Sequence, residues 1–249
     1  MKIFAVGMNY PQHNKELEET LFNSSQLRVH SSQLRVHSSQ LTVHSSQLTV
    51  HNSQLPEAPV IFTKADSALL RNRKPFFIPD WSERVDYEAE VVVRICRLGK
   101  GIPQRFAYRY YDAVTVGIDF TARDWQQRAS QKGLPWEICK GFDGSAAIGD
   151  WVDLIREERG ERKEERGELI DTANLHFHLD VNGKTVQEGC TADMLHSIDE
   201  LIAYISRFFT LRTGDLLYTG TPAGVGPVHI GDHLEGWLED RKVLDIHCK

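Results

Sequence analysis

The stretch VDYEAEVVV, Val85–Val93, sets two carboxylates two residues apart just before a run of valines. Alternate residues of a strand share a face, so Glu88 and Glu90 project together, and Asp86 has the same parity. Adjacent carboxylates entering a buried apolar run are costly unless a cation compensates them. A hard divalent ion such as Mg2+ would do so and leave coordination positions for water or substrate oxygens. The plainer reading is an acidic, solvent-facing edge strand. A further acid, Asp119, follows the apolar run AVTVGI, where it suits a ligand or the N-cap of a following helix. Lys140, in EICKGFDG, suits an anion-stabilising cation beside a metal or an ordinary surface charge. His13 and Glu16 are spaced i, i+3, so on a helix the carboxylate could orient the imidazole as a general base. TGTPAGVGP, Thr219–Pro227, is a glycine-rich loop able to hold an anion with backbone N–H groups, but it lacks the GK[ST] ending of a P-loop.

The elements that would position these groups are mostly strands. Lys2–Gly7 and Val60–Lys64 read as short buried strands, Val85–Ile95 and Ala113–Phe120 as longer ones. Leu175–Asn182 alternates and ends in Asn-Gly, the signal of a tight hairpin. Ser197–Phe208 predicts a helix, with Ser197 as N-cap, Glu200 completing a capping box, and Ile198, Leu201, Ile202 and Ile205 giving the period. Asp215–Thr219 predicts a strand entering the glycine loop, and GDHLEGWLED and VLDIHCK predict closing strands. There is no regular βαβ rhythm, so the class is β-rich α+β.

With 249 residues the chain can bury a full core, and one catalytic domain over 1–249 is expected. A net charge of -6 with scattered basic residues argues against nucleic acid as a partner. No apolar run reaches spanning length, so no membrane association is expected. MKIFAVGMNY reads as a first strand and not as a signal peptide. Cys96, Cys139, Cys190 and Cys248 form no CxxC pair and suit reduced thiols in a cytoplasmic protein.

Two segments interrupt this plan. From Ser24 to His51 the unit SSQL(R/T)VH is written four times, and a fifth copy decays into NSQLPE. Its Val follows its Leu by two places, so no coiled-coil seam forms. An odd period flips any continuous strand's face from one copy to the next, which leaves short strands joined by Ser-Ser turns as the alternative to a solvated segment. On a helix the histidines His30, His37, His44 and His51 would stand roughly 10 Å apart, too far to share a metal ion. EERGE also recurs after seven residues, at Glu157–Glu161 and Glu164–Glu168. Both segments read as solvated inserts, a heptapeptide repeat at about 24–55 and a charged one at about 156–168, left by duplication within the gene.

GMNYPQHNKEL, EAE, DFTARD, GLPWEICKGFD and TGTPAGVGPV stand in the order and approximate spacing of the fumarylacetoacetate hydrolase family. The chain most resembles its short single-domain members, and the resemblance covers all but the two inserts. It implies a mixed β-roll, a homodimer, and a site for Mg2+ or Mn2+ held by Glu88, Glu90 and Asp119. It makes Lys140 the active-site lysine, and His13 with Glu16 a dyad on a lid helix. Arg123, Gln126 and Thr221 become substrate-side contacts. The implied reaction is cleavage of a C–C bond in an acylpyruvate-type β-diketo acid through a metal-bound pyruvate enolate, with the dyad activating water. Decarboxylation of an oxaloacetate-like acid and isomerisation of a 2-hydroxy-dienedioate are the alternatives, and a catalytically impaired metal-binding relic is a second. Loops near Arg71, Arg73 and Lys74, with the lid, would read the substrate's tail. Met8 replaces a basic residue that many relatives carry after the first glycine, which removes one expected anion contact.

Overall fold

The computed structural model describes residues 1–14, 16, 58–154 and 170–249. The repeat and the charged insert fall outside them. No helix among the described residues is long and apolar enough to cross a membrane.

The largest sheet runs in the order β2 (Val60–Lys64), β1 (Ile3–Gly7), β12 (Leu216–Tyr218), β5 (Ala89–Ile95), β6 (Tyr111–Asp119), β8 (Ala146–Ile148), β3 (Leu69–Arg71), with β9 (Val152–Asp153) also on β6. It is mixed. Strand β1 runs parallel to β12, and β3 to β8, while the other pairs are antiparallel. A four-stranded sheet follows the order β11 (Lys184–Cys190), β10 (His176–Val181), β14 (His233–Leu238), β15 (Arg241–His247). A small third sheet joins β13 (Gly226–Pro227), β4 (Val85–Tyr87) and β7 (Thr121–Ala122). Three α-helices complete the labelled elements: α1 (Arg123–Lys132), α2 (Glu137–Lys140) and α3 (Ile198–Phe208). Residues 11–14 and 16 are also helical.

The strands form where β-branched residues alternate or run together, and their inner faces make one core. Val91, Val93, Val114, Val116 and Ile118 of the large sheet meet Phe177, Leu179, Leu234, Leu244 and Ile246 of the four-stranded one. Strand β6 is closely approached at Gly117, where an added Cβ would lie 2.6 Å from both Val92 Cγ2 on β5 and the Ala147 carbonyl oxygen on β8. Helix α3 begins at the anticipated capping box, with Ser197 accepting from the Glu200 N–H and the Glu200 carboxylate accepting from the Ser197 N–H. Its apolar side, Ile198, Leu201, Ile202 and Ile205, is buried. The Asn182-Gly183 turn has φ of 53° and 76°, as a two-residue hairpin with positive φ at both positions requires.

One element departs from expectation in a way that matters. The strand anticipated over Val85–Ile95 is broken at Glu88, which belongs to neither β4 nor β5. Strand β4 pairs in the small sheet and β5 in the large one, so Glu88 is the corner where the chain changes sheets. The backbone stays bonded there, because the Glu88 carbonyl accepts from the Asp119 N–H at 2.8 Å.

Candidate active site

The three acids picked out by parity and strand position converge. Glu88, Glu90 and Asp119 are all buried, and each offers a carboxylate oxygen within 4.8 Å of the others. Glu88 comes from the sheet-changing corner, Glu90 from β5 and Asp119 from the end of β6. Strand pairing brings them together, with Glu90 opposite Gly117 and Ala89 opposite Ile118.

Buried cations bond two of the acids. Lys140, at the end of α2, directs Nζ to Glu88 Oε2 at 2.7 Å, Asp119 Oδ2 at 2.9 Å and Thr121 Oγ1 at 2.6 Å. Burial works against its charge, but Asp119 and Glu88 outweigh burial and raise its pKa. Burial likewise opposes the charge on Glu88, yet Lys140, Arg123 and His13 hold its carboxyl well below the usual range. Lys64, the last residue of β2, places Nζ 2.6 Å from Asp119 Oδ1 and also bonds Lys140 O and the backbone and hydroxyl oxygens of Ser145. Burial lowers its pKa, yet the four oxygens around Nζ call for an ammonium.

Among the described residues no such cation bonds Glu90. Its carboxylate accepts the Gly220 N–H at 2.7 Å, and burial together with Asp119 and Glu88 pushes its pKa well above the ordinary value. An acid forced toward its neutral form by two neighbouring carboxylates is what a divalent cation would relieve. The all-oxygen donor set suits Mg2+ or Mn2+. The residues therefore fit the metal that the resemblance implies.

The other expected residues surround this cluster. Arg123, at the start of α1, acts as a clamp. It donates from Nε to Asp86 Oδ2 at 2.8 Å, from Nη2 to Glu88 Oε1 at 2.7 Å and from Nη1 to Gln126 Oε1 at 2.5 Å. Asp86 faces Arg84 and Arg123 and is not one of the three clustered acids. Thr221 is buried, and its Oγ1 accepts from Gln187 Nε2 at 2.9 Å. His13 is buried, 5 % exposed, and its Nδ1 has no hydrogen-bond partner among the described residues. Burial lowers its pKa, aided by Arg123 and Lys140 and opposed by Glu88. Glu16 Oε2 stands 3.8 Å from that nitrogen, beyond hydrogen-bond length, while the carboxylate accepts the Gly224 N–H at 3.0 and 3.1 Å. Met8 has φ of 62°, an uncommon conformation for a long side chain, and its carbonyl accepts from Asn14 Nδ2. Arg73 is exposed and engages Asp150; Arg71 and Lys74 are exposed as well.

Two residues emerge only in three dimensions. Lys64 closes the apolar run VIFTK, and the four preceding residues were the available hint that it ends inside the molecule. Gln187 lies on β11 and is buried, with Oε1 accepting the Ala89 N–H at 2.9 Å and Nε2 donating to Thr221 Oγ1 and the Pro222 carbonyl. It joins the backbone between the two glutamates to the glycine loop. Nothing local in KTVQEG signals this.

The family model described as fumarylacetoacetate (FAA) hydrolase C-terminal matches residues 2–249. The chain belongs to the fumarylacetoacetate hydrolase family. Its β-rich α+β fold with a curled mixed sheet is that family's fold. It is 34% identical over 233 residues to the oxaloacetate tautomerase YcgM of Escherichia coli K12, covering 94% of this chain and 86% of that one. It superposes with a TM-score of 0.74 on a fumarylpyruvate hydrolase from Pseudomonas aeruginosa solved with Mn2+ and pyruvate, at 27% identity over 100% of this chain and 89% of that one. A 5-carboxymethyl-2-hydroxymuconate delta-isomerase from Mycobacterium smegmatis gives 0.72 at 26% identity, covering 99% and 78%. This chain is an enzyme of that family, and its relatives span tautomerase, hydrolase and isomerase chemistry.

Proposed function

We propose that the chain moves a proton at the carbon beside the keto group of an enolisable 2-oxo acid, as in keto–enol tautomerisation of an oxaloacetate-type diacid. The observation that carries this reading is the state of His13. It is buried, its pKa is lowered, and Nδ1 has no hydrogen-bond partner among the described residues, while Glu16 is turned to Gly224. A group that accepts and returns one proton needs a free nitrogen and a neutral ring. A group that activates water for attack on a carbonyl also needs a partner to orient it. The similarity to an oxaloacetate tautomerase supports the same choice.

Glu88, Glu90 and Asp119 would hold Mg2+ or Mn2+, and a divalent ion there supplies Lewis acidity toward the substrate's oxygens. Lys140 adds a fixed positive charge at the same place, worth most in a site from which water is excluded. Arg123 orients the Glu88 carboxylate, and its unused N–H groups, with Gln126, face substrate. Thr221, whose hydroxyl oxygen is taken by Gln187, keeps its own proton for a substrate oxygen. The helical segment carrying His13 covers the site as a lid, fastened through Glu16 to the glycine loop.

C–C hydrolysis is the second reading. It draws on the i, i+3 pair itself, because release of Glu16 from Gly224 would let a carboxylate now at 3.8 Å bond His13. A single panel separates the two. With Mg2+ or Mn2+ present, enol oxaloacetate, acetylpyruvate and fumarylpyruvate are each followed with product identification. Faster enol-to-keto conversion without pyruvate release from the acylpyruvates is the expected result. Pyruvate release with no effect on oxaloacetate would overturn the proposal in favour of hydrolysis.

A further inference from the structure

We propose that His233, Asp245 and His247 form a second divalent-cation site, for an imidazole-seeking ion such as Zn2+, on the outer face of the four-stranded sheet. Strand β14 alternates throughout, and β15 does so from Leu244 to His247, beyond a register shift near Gly236. Leu234, Leu238, Leu244 and Ile246 point into the core, which leaves His233, Glu235, Asp245 and His247 on the other face. The antiparallel register sets His233 opposite His247 and Glu235 opposite Asp245, with the inward-facing Leu234–Ile246 rung between, so that face presents two imidazoles and two carboxylates on alternate rungs.

The side chains are already gathered. The two rings stack at 4.2 Å between centroids and 12° between planes. Asp245 Oδ1 lies 2.9 Å from His233 Nε2, and one donor atom from each of His233, Asp245 and His247 falls within 4.8 Å of the others. Two charged side chains flank the cluster. Glu235 Oε2 stands 3.9 Å from the opposite ring nitrogen of His233, beyond hydrogen-bond length but near enough to add negative charge beside the imidazole. Lys242 holds Asp245 Oδ2 at 3.0 Å and Glu235 Oε1 at 2.9 Å, which keeps Oδ1 of Asp245 turned toward the imidazoles. An ion bound here would take the place of the hydrogen bond between His233 and Asp245.

The donor set separates this site from the buried one. Two nitrogens and one oxygen favour Zn2+ and other borderline ions, whereas three carboxylates favour Mg2+ or Mn2+. The fourth position stays open to water, because His247 is exposed and the site lies at the surface. A bound ion would clip β15 to β14 across two rungs.

Equilibrium dialysis of the full chain against Zn2+, in excess Mg2+ to fill the buried carboxylates, tests this directly. The proteins compared are the wild type, His247→Gln, His233→Gln, and a variant with His30, His37, His44 and His51 all changed to Gln. Those four imidazoles are the obvious competing ligands. The expected result is one Zn2+ equivalent whose affinity falls at least tenfold in each single variant and persists in the fourfold variant. A Zn2+-dependent rise in melting temperature, present in wild type and lost in His247→Gln, reports the same event without counting ions. Single variants that bind and respond like wild type, or an equivalent that disappears only with the four repeat histidines, would overturn the proposal.

Discussion

Changing Lys64 to Met removes one buried positive charge and keeps most of its stem. The Nζ it removes lies 2.6 Å from Asp119 Oδ1, and the two side chains are 0% and 1% exposed. Breaking a buried ion pair from one side costs about 3–5 kcal/mol, because the remaining charge is left uncompensated. Lys140 still bonds the other oxygen of Asp119, which places the cost near the lower bound, about 3 kcal/mol. For a chain of this size that corresponds to a fall in melting temperature of roughly 6–12 °C. The assay is thermal unfolding of wild type and variant in EDTA and then in saturating Mn2+. In EDTA the full loss is expected. Mn2+ should raise the variant more than the wild type, since an ion among Glu88, Glu90 and Asp119 takes over charge that Lys64 had balanced. At a free ion concentration of a hundred times Kd, binding alone adds about 2.7 kcal/mol. A variant within about 2 °C of wild type in EDTA, about 0.5–1 kcal/mol, would show that the pair carries little net stability and refute the reasoning.

Three further outcomes are expected. The acid limb of turnover should lie below the ordinary histidine value of about 6.5, because burial keeps His13 neutral to lower pH, and activity is lost as pH falls through its lowered pKa; a limb above that value in the pH–rate profile would contradict this. Gln187→Leu should leave Ala89 N–H buried and unpaired, lower stability by about 1–3 kcal/mol in urea titration, and weaken Mn2+ binding by shifting the backbone between Glu88 and Glu90; unchanged Mn2+ affinity would remove its positioning role. Gly117→Ala should cost about 1–3 kcal/mol or more by overpacking, since its Cβ would meet both Val92 and the Ala147 carbonyl; a neutral substitution in the same titration would count against the close approach of β6 and its neighbours.

Much of this arrangement can be read along the chain where the physics is local. The parity of Glu88 and Glu90 survives the break at Glu88, because the corner redirects the backbone while leaving both carboxylates on the buried side. The capping box at Ser197 and the Asn-Gly hairpin involve neighbours within a few residues, so sequence spacing suffices. Lys64 shows where local reading stops. A lysine ending a strand looks like a solvent-facing charge, and only the 140–145 turn, some eighty residues away, supplies the oxygens that keep it inside. Gln187 acts on a backbone N–H 98 residues distant, with no local pattern to expose it. The His13–Glu16 spacing was legible, but its partner was not, since Glu16 bonds a glycine 208 residues away.

The parallel pairing of β1 with β12 has a consequence for how the molecule is made. Ile3 lies beside Leu216 and Ala5 beside Tyr218, so one edge of the fully apolar Ile3–Val6 segment waits for partners that are synthesised more than two hundred residues later. At about 5–20 residues per second the ribosome takes roughly 10–40 s to deliver them. During that interval β1 can pair with β2, but its other edge offers unpaired N–H and carbonyl groups to any extended chain nearby. The β1–β12 pairing that completes the central sheet therefore forms late, whereas the β5–β6 pairing that gathers Glu88, Glu90 and Asp119 requires neither strand. Until β12 arrives, that edge of the first strand is open to mispairing.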